Sequence, residues 1–194
     1  MKYVYLAGSV PKGLENKIKF QDWRKEFEKI LVEIKKNWFP WFTDEIIFFD
    51  PSTGGIEMFP LEIWFGRDIH MIYKSDVVVV ESQSKIWLGT AQEILIAKYY
   101  NKPVIAISPL NSHYNKYIST PNNKEFHYKH PFLSNTTDVI VSDYAEASNV
   151  LINFFTWKIN IKIKNINIIE EMRKIFEDNY LDKDEHISSR LNLK

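Results

Sequence analysis

No cysteine occurs in the 194 residues, which excludes disulfide frameworks and thiolate metal sites. Net charge is missing too: 25 Lys+Arg offset 25 Asp+Glu. A neutral chain has no overall field to hold a polyphosphate backbone, so no nucleic-acid partner is expected despite the Lys-rich "KINIKIKN". No stretch approaches the roughly 20 apolar residues of a membrane span. The opening "MKYVYLAGS" is too short for a signal peptide and reads as a strand, so a cytoplasmic protein without membrane contact is expected. G-x-G-x-x-G and G-K-S/T are both absent, which leaves out the dinucleotide fingerprint and the P-loop. No internal repeat is apparent. What the chain has in quantity is aromatic: 13 Phe, 10 Tyr and 6 Trp. So many rings cannot all be exposed without inviting aggregation, so a large share belongs to the core or to a subunit interface.

Five short apolar runs read as strands: Tyr3–Gly8, Glu45–Pro51, Asp76–Ser82, Lys102–Ser108 and Asp138–Ser142. "DVVVVES" is β-branched throughout, as in a strand covered on both faces. Helical periodicity lies between them. Phe20, Trp23, Phe27, Ile30, Leu31 and Ile34 form one stripe, and Ile63–Tyr73, Thr90–Tyr100 and Tyr144–Phe155 give three more helices. Alternating strands and helices imply right-handed crossovers, hence an α/β fold: a flavodoxin-like or Rossmann-like five-stranded parallel sheet flanked by helices. Asn111–His130 is polar and aperiodic and reads as a long loop. The catalytic domain spans residues 1–155. Residues 156–194 form a C-terminal appendage, with an alternating β-like or amphipathic arm, a short helix near Ile168–Phe176 and a charged tail from Asp182.

In such a sheet a ligand sits beyond the carboxyl ends of the strands. The segments to inspect are therefore "GSVPKG" (8–13), "DPSTGG" (50–55), "ESQSKIWLGTAQE" (81–93) and "SPLNSHY" (108–114). Backbone amides of Gly8–Gly13, or the helix starting at Thr90, can hold a phosphate; a plain strand-to-helix turn explains the glycines equally. Glu93 also has two readings. Thr90-Ala-Gln-Glu93 is a capping box, in which the carboxylate ties off a backbone amide. Alternatively it is an ionised nucleophile, its charge favoured by the positive helix end. Asp68, in "WFGRDIHMIYKSD", is either a surface helix position beside Arg67 or a second carboxylate at the site. His127 and His130 are three apart in a cysteine-free loop and lack metal-ligand spacing, so no metal is expected. Phe59, Trp64, Phe65 and Trp87 can stack on a base or serve as core or dimer contacts.

"VYLAGS", "RDIHMIYKSDVVVVE" and "LGTAQEILIAKYYNKPVI", in this order and on these elements, resemble the nucleoside 2-deoxyribosyltransferase family, which includes 2′-deoxynucleoside 5′-monophosphate N-glycosidases. The resemblance covers Lys2–Ile107 and continues through "HPFLSNTTDVIVSDYAEASNVL" to about Phe155. It implies that Glu93 is the nucleophile, that Tyr5 orients it, and that Asp68 holds the sugar or base. It also implies that Ser9 meets a phosphate in the nucleotide-cleaving members, and that Gly8 and Gly89 allow close backbone approach. Asp50, Trp64, Trp87 and Lys12 complete the expected substrate contacts. Two positions depart from the family. Trp87 stands where the transferases carry an aspartate and the nucleotide hydrolases a serine, and Pro11 replaces an arginine, with Lys12 beside it.

The implied reaction is cleavage or transfer of an N-glycosidic bond through a glycosyl-glutamate, without metal or organic cofactor. The substrate is a small nucleoside or nucleotide, and the protein is a homodimer or higher homo-oligomer. The alternatives are a 2′-deoxynucleoside 5′-monophosphate N-hydrolase and, in another class, a non-catalytic nucleotide-binding sensor.

Overall fold

The computed structural model describes residues 1–9, 22–53, 60–83, 88–119, 122 and 124–191. Five strands form one parallel sheet: β1 (Lys2–Ala7), β2 (Ile46–Phe49), β3 (Val77–Glu81), β4 (Val104–Ile107) and β7 (Val139–Val141). Their spatial order is β2-β1-β3-β4-β7. This is the flavodoxin-like arrangement, whose order reverses between β1 and β3. The α/β fold read from the sequence is the fold observed.

Alternation along β1 sorts its side chains onto two helical layers. Val4 and Leu6 join a core cluster with Trp23, Phe27 and Leu31 of α1 (Trp23–Trp38) and Leu151, Ile152 and Phe155 of α5 (Tyr144–Phe155). Tyr5 and Ala7 face the other way, against Ile72 of α2 (Leu61–Lys74) and Ile94 and Ala97 of α3 (Leu88–Tyr99). A polar tip on Tyr5 is therefore delivered between α2 and α3. Strand β3 is buried along its whole length, as its β-branched run requires.

Asn111–His130, expected as a loop, is instead a hairpin. Strands β5 (Asn115–Ser119) and β6 (Glu125–Lys129) pair antiparallel, with Tyr117 opposite His127 and Ser119 opposite Glu125. Its apolar residues, Tyr117, Ile118, Phe126 and Tyr128, are interleaved with Lys, Asn, Glu and His, which blurs the period-two pattern. A short helix, α4 (Pro131–Thr136), then leads into β7.

Beyond Trp157 no strand forms in the alternating segment. Ile161 inserts into the α1–α5 core cluster, while the Lys164 amide donates to Asp138 Oδ1 (2.7 Å) and Lys164 Nζ to the carbonyls of Ser134 and Thr137. Helix α6 (Ile168–Asn179) follows, and the charged tail contains a further helix, α7 (Glu185–Arg190), capped by Asp184. Asp138 is the fastening point of this end. Its Oδ2 accepts from the Val104 amide (2.7 Å) and pairs with fully buried Lys98 of α3. Among the described residues no helix is long and apolar enough to cross a membrane.

Candidate active site

Helix α3 begins at Leu88, so Thr90 lies inside it and Glu93 is its sixth residue, in the second turn. That displaces the capping box expected at Thr90–Glu93. A carboxylate that does cap a helix is present elsewhere: Asp143 accepts from the Glu146 amide (2.7 Å), while Glu146 Oε2 accepts from the Ser142 amide and hydroxyl (2.7 Å each). Glu93 makes no such contact. Its Oε1 accepts a 2.7 Å hydrogen bond from the Tyr5 hydroxyl, and its Oε2 is buried without a hydrogen-bond partner among the described residues.

Three elements converge here. Tyr5 comes from β1, Glu93 from α3 and Asp68 from α2. Asp68 Oδ1 is likewise buried without a hydrogen bond; Arg67 Nη1 lies 3.7 Å from it, near enough for attraction but too far to satisfy it. Arg67 is otherwise engaged, donating to the carbonyls of Pro51 (3.1 Å) and Thr53 (2.5 Å) in the turn after β2. Among the described residues, two buried carboxylate oxygens therefore lack donors, and buried polar atoms are ordinarily satisfied.

Burial sets the charge of this group. It pushes the Glu93 carboxyl up to about 7; the Tyr5 hydrogen bond and Arg24 pull it down, and Asp68 pushes it further up. Burial also lifts Asp68 to about 6, against the pull of Arg67. The Tyr5 hydroxyl is driven far above its ordinary value, by burial first and then by the charges of Glu93 and Asp68, so it stays a donor. The helix-end field was expected to keep Glu93 ionised. In the second turn, inside the protein, desolvation outweighs that field, and near neutrality the carboxyl is poised between its two forms.

The other expected contacts are placed as follows. A Cβ on Gly8 would lie 2.9–3.1 Å from the Trp23 indole, so glycine is required there by packing. Ser9 follows at the tip of β1, and its carbonyl accepts from Arg24. Asp50 Oδ1 accepts from the Ser52 amide (2.8 Å) and hydroxyl (2.7 Å) and lies 3.2 Å from Arg24 Nε. A Cβ on Gly89 would meet nothing within 4 Å, so no protein neighbour demands glycine at that position. Trp64 and Phe65 lie on α2, Trp64 half-buried and Phe65 exposed. Lys12, Phe59 and Trp87 lie outside the described residues. Among the described residues no three His, Asp or Glu side chains converge as a metal ion needs.

Arg24 was missed from sequence. It sits in the charged run "DWRKEFEK", yet falls on the same helical face as Phe27 and Leu31 and is 1% exposed. The signal was its three- and seven-residue spacing to those apolar positions.

Fold and geometry together define an α/β protein with a tyrosine-held carboxylate beside the point where strand order reverses. No family model matches the chain, and no curated protein matches it. Among solved structures it is similar to a 2-desoxiribosyltransferase from Leishmania mexicana. The TM-score is 0.46 at 18% identity, over 78% of this chain and 97% of that chain.

Proposed function

We propose that residues 1–155 catalyse cleavage or transfer of the N-glycosidic bond of a deoxynucleoside or nucleotide, with Glu93 as covalent catalyst. The observation that carries this reading is the asymmetry of the Glu93 carboxylate: Oε1 is held by Tyr5 at 2.7 Å, and Oε2 is buried with no hydrogen-bond partner among the described residues. One oxygen is fixed and the other is free, as an in-line nucleophile requires.

In this mechanism Oε2 of ionised Glu93 attacks C1′ and the C1′–N bond breaks, its electron pair leaving with the base. Asp68, titrating near neutrality, passes a proton to the departing base or binds a sugar hydroxyl. The resulting glycosyl ester is opened at C1′ by water, or by a second base, which restores the Glu93 carboxylate. Two displacements at one carbon give net retention. The oxocarbenium-like transition state is favoured by the adjacent carboxylates in a site shielded from water. Gly8, Ser9, Lys12, Asp50, Trp64, Trp87 and Gly89 are proposed to frame the substrate, and the working unit to be a cytoplasmic homo-oligomer. Residues 156–194 are proposed to lie outside the catalytic machinery.

The decisive experiment is to quench the protein during turnover of deoxynucleosides and deoxynucleoside 5′-monophosphates and map the trapped sugar by mass spectrometry. A deoxyribosyl adduct on Glu93 supports the reading; turnover with no adduct, undiminished in Glu93→Gln, sinks it. Chromatography of products with and without a free acceptor base separates transfer from hydrolysis.

A further inference from the structure

Arg24 stands on the first turn of α1, fully buried, and its guanidinium faces the tip of β1. Nε lies 3.3 Å from the Leu6 carbonyl, Nη2 3.0 Å from that of Gly8 and Nη1 3.1 Å from that of Ser9. Two carboxylates face the same cation: Asp50 at 3.2 Å and Asp22 at 3.7 Å. Burying a guanidinium costs several kcal/mol unless charge and hydrogen bonds offset it, and both are supplied here. Joining a helix to a strand needs no buried cation. The planar donor set matches three carbonyls of one strand tip, a task an ammonium cannot perform. Since the peptides are trans, the Leu6 and Gly8 carbonyls drawn toward Arg24 turn the amides of Ala7 and Ser9 the opposite way.

We infer that Arg24 is a positioning residue for Glu93: its single buried guanidinium clamps three carbonyls of the β1 tip and thereby fixes Tyr5 and the Ser9 turn against the α3 carboxylate. Among the described residues, Tyr5 from β1 holds Glu93 by a hydrogen bond, and Asp68 from α2 and, least of all, Arg24 from α1 act on it by charge. Of these Arg24 is the cation. It pulls the Glu93 carboxyl down while Asp68 pushes it up, so its removal also withdraws charge that favours the ionised nucleophile.

The inference rests on the glycosyl-transfer reading for its kinetic arm alone. The test compares wild type, Arg24→Gln and Arg24→Lys by thermal melting, by carbon-13 NMR titration of the Glu93 carboxyl, and by base release against pH. In Arg24→Gln the Glu93 midpoint moves up, and kcat at pH 7 falls about tenfold or more with KM little changed. Arg24→Lys returns the midpoint toward wild type but recovers only part of kcat, because the charge is restored and the clamp is not. An unmoved midpoint in folded Arg24→Gln, or an Arg24→Lys chain as active as wild type, overturns the inference. The lysine variant decides alone if the glutamine variant does not fold. A wild-type chain that releases no base refutes the glycosyl-transfer reading and leaves the NMR arm standing; an active enzyme with an unmoved midpoint refutes only the role of Arg24.

Discussion

The Tyr5 hydroxyl and the Glu93 carboxylate, 88 residues apart in the chain, meet at 2.7 Å between β1 and α3. The bond restrains one oxygen, its twin has no partner among the described residues, and each prediction about activity follows from that division.

Glu93→Gln removes the nucleophile while keeping the acceptor for Tyr5. Base release is expected to vanish from a folded protein. Stability should change with a definite sign. The Glu93 carboxyl is raised from 4.5 to about 7, so its contribution is fully present below the unfolded value and is lost as pH rises through the folded value. The amide has no such loss. Melts at pH 8 should therefore favour the variant by on the order of 2 kcal/mol, and the gap should close near pH 4.5. A variant less stable at pH 8 contradicts this site.

Tyr5→Phe and Asp68→Asn should move the pH–rate profile in opposite directions. With Glu93 as the proposed nucleophile, the wild-type rate is expected to rise as it ionises, around pH 7. Tyr5 stabilises the carboxylate by its hydrogen bond, so its loss shifts the rising limb upward; Asp68 repels the carboxylate, so neutralising it shifts the limb downward. Both variants should be slower at their optimum. Limbs that move together rule out the assigned roles.

Gly8→Ala should damage fold and site at once. The new methyl meets the Trp23 indole at 2.9–3.1 Å, so the ring or the β1 tip must shift. A loss of about 1–3 kcal/mol by chemical denaturation is expected, as for other overpacked cores. Gly89→Ala, in α3 with no described residue within 4 Å of the new methyl, is the control that should keep or slightly raise stability.

Asp138→Ala strips fully buried Lys98 of its carboxylate and the Lys164 amide of its acceptor. Leaving a buried cation unpaired should cost about 3–5 kcal/mol. Lys98→Met combined with Asp138→Asn should recover only part of it, since one amide oxygen replaces the two carboxylate oxygens that serve Val104 and Lys164 separately. Limited proteolysis of Asp138→Ala should cut first between residues 157 and 167.

The sheet was legible because its strands are short β-branched runs bounded by Gly, Asp or Pro, and helices alternate with them. Tyr5 and Glu93 stood out through the motifs that carry the family resemblance, and the structure brings their side chains within hydrogen-bond distance. Three features were hidden for physical reasons. The β5–β6 hairpin spends Tyr117, Phe126 and Tyr128 among lysines and asparagines, which blurs its alternation. Arg24 resembles its solvated neighbours until the helix is wound and its face counted. The charge state of Glu93 depends on depth of burial, which no local spacing encodes.

Strand β1 precedes the other four strands of the sheet in the chain yet ends in its middle, between β2 and β3. While the nascent chain emerges, both its ribbon edges stay bare until residues 46–49 and 77–81 arrive. The pairing of Tyr5 with Glu93 waits longer still, for α3. The pair is therefore complete only once residue 93 has left the ribosome, and a fragment ending before α3 lacks the carboxylate that Tyr5 holds.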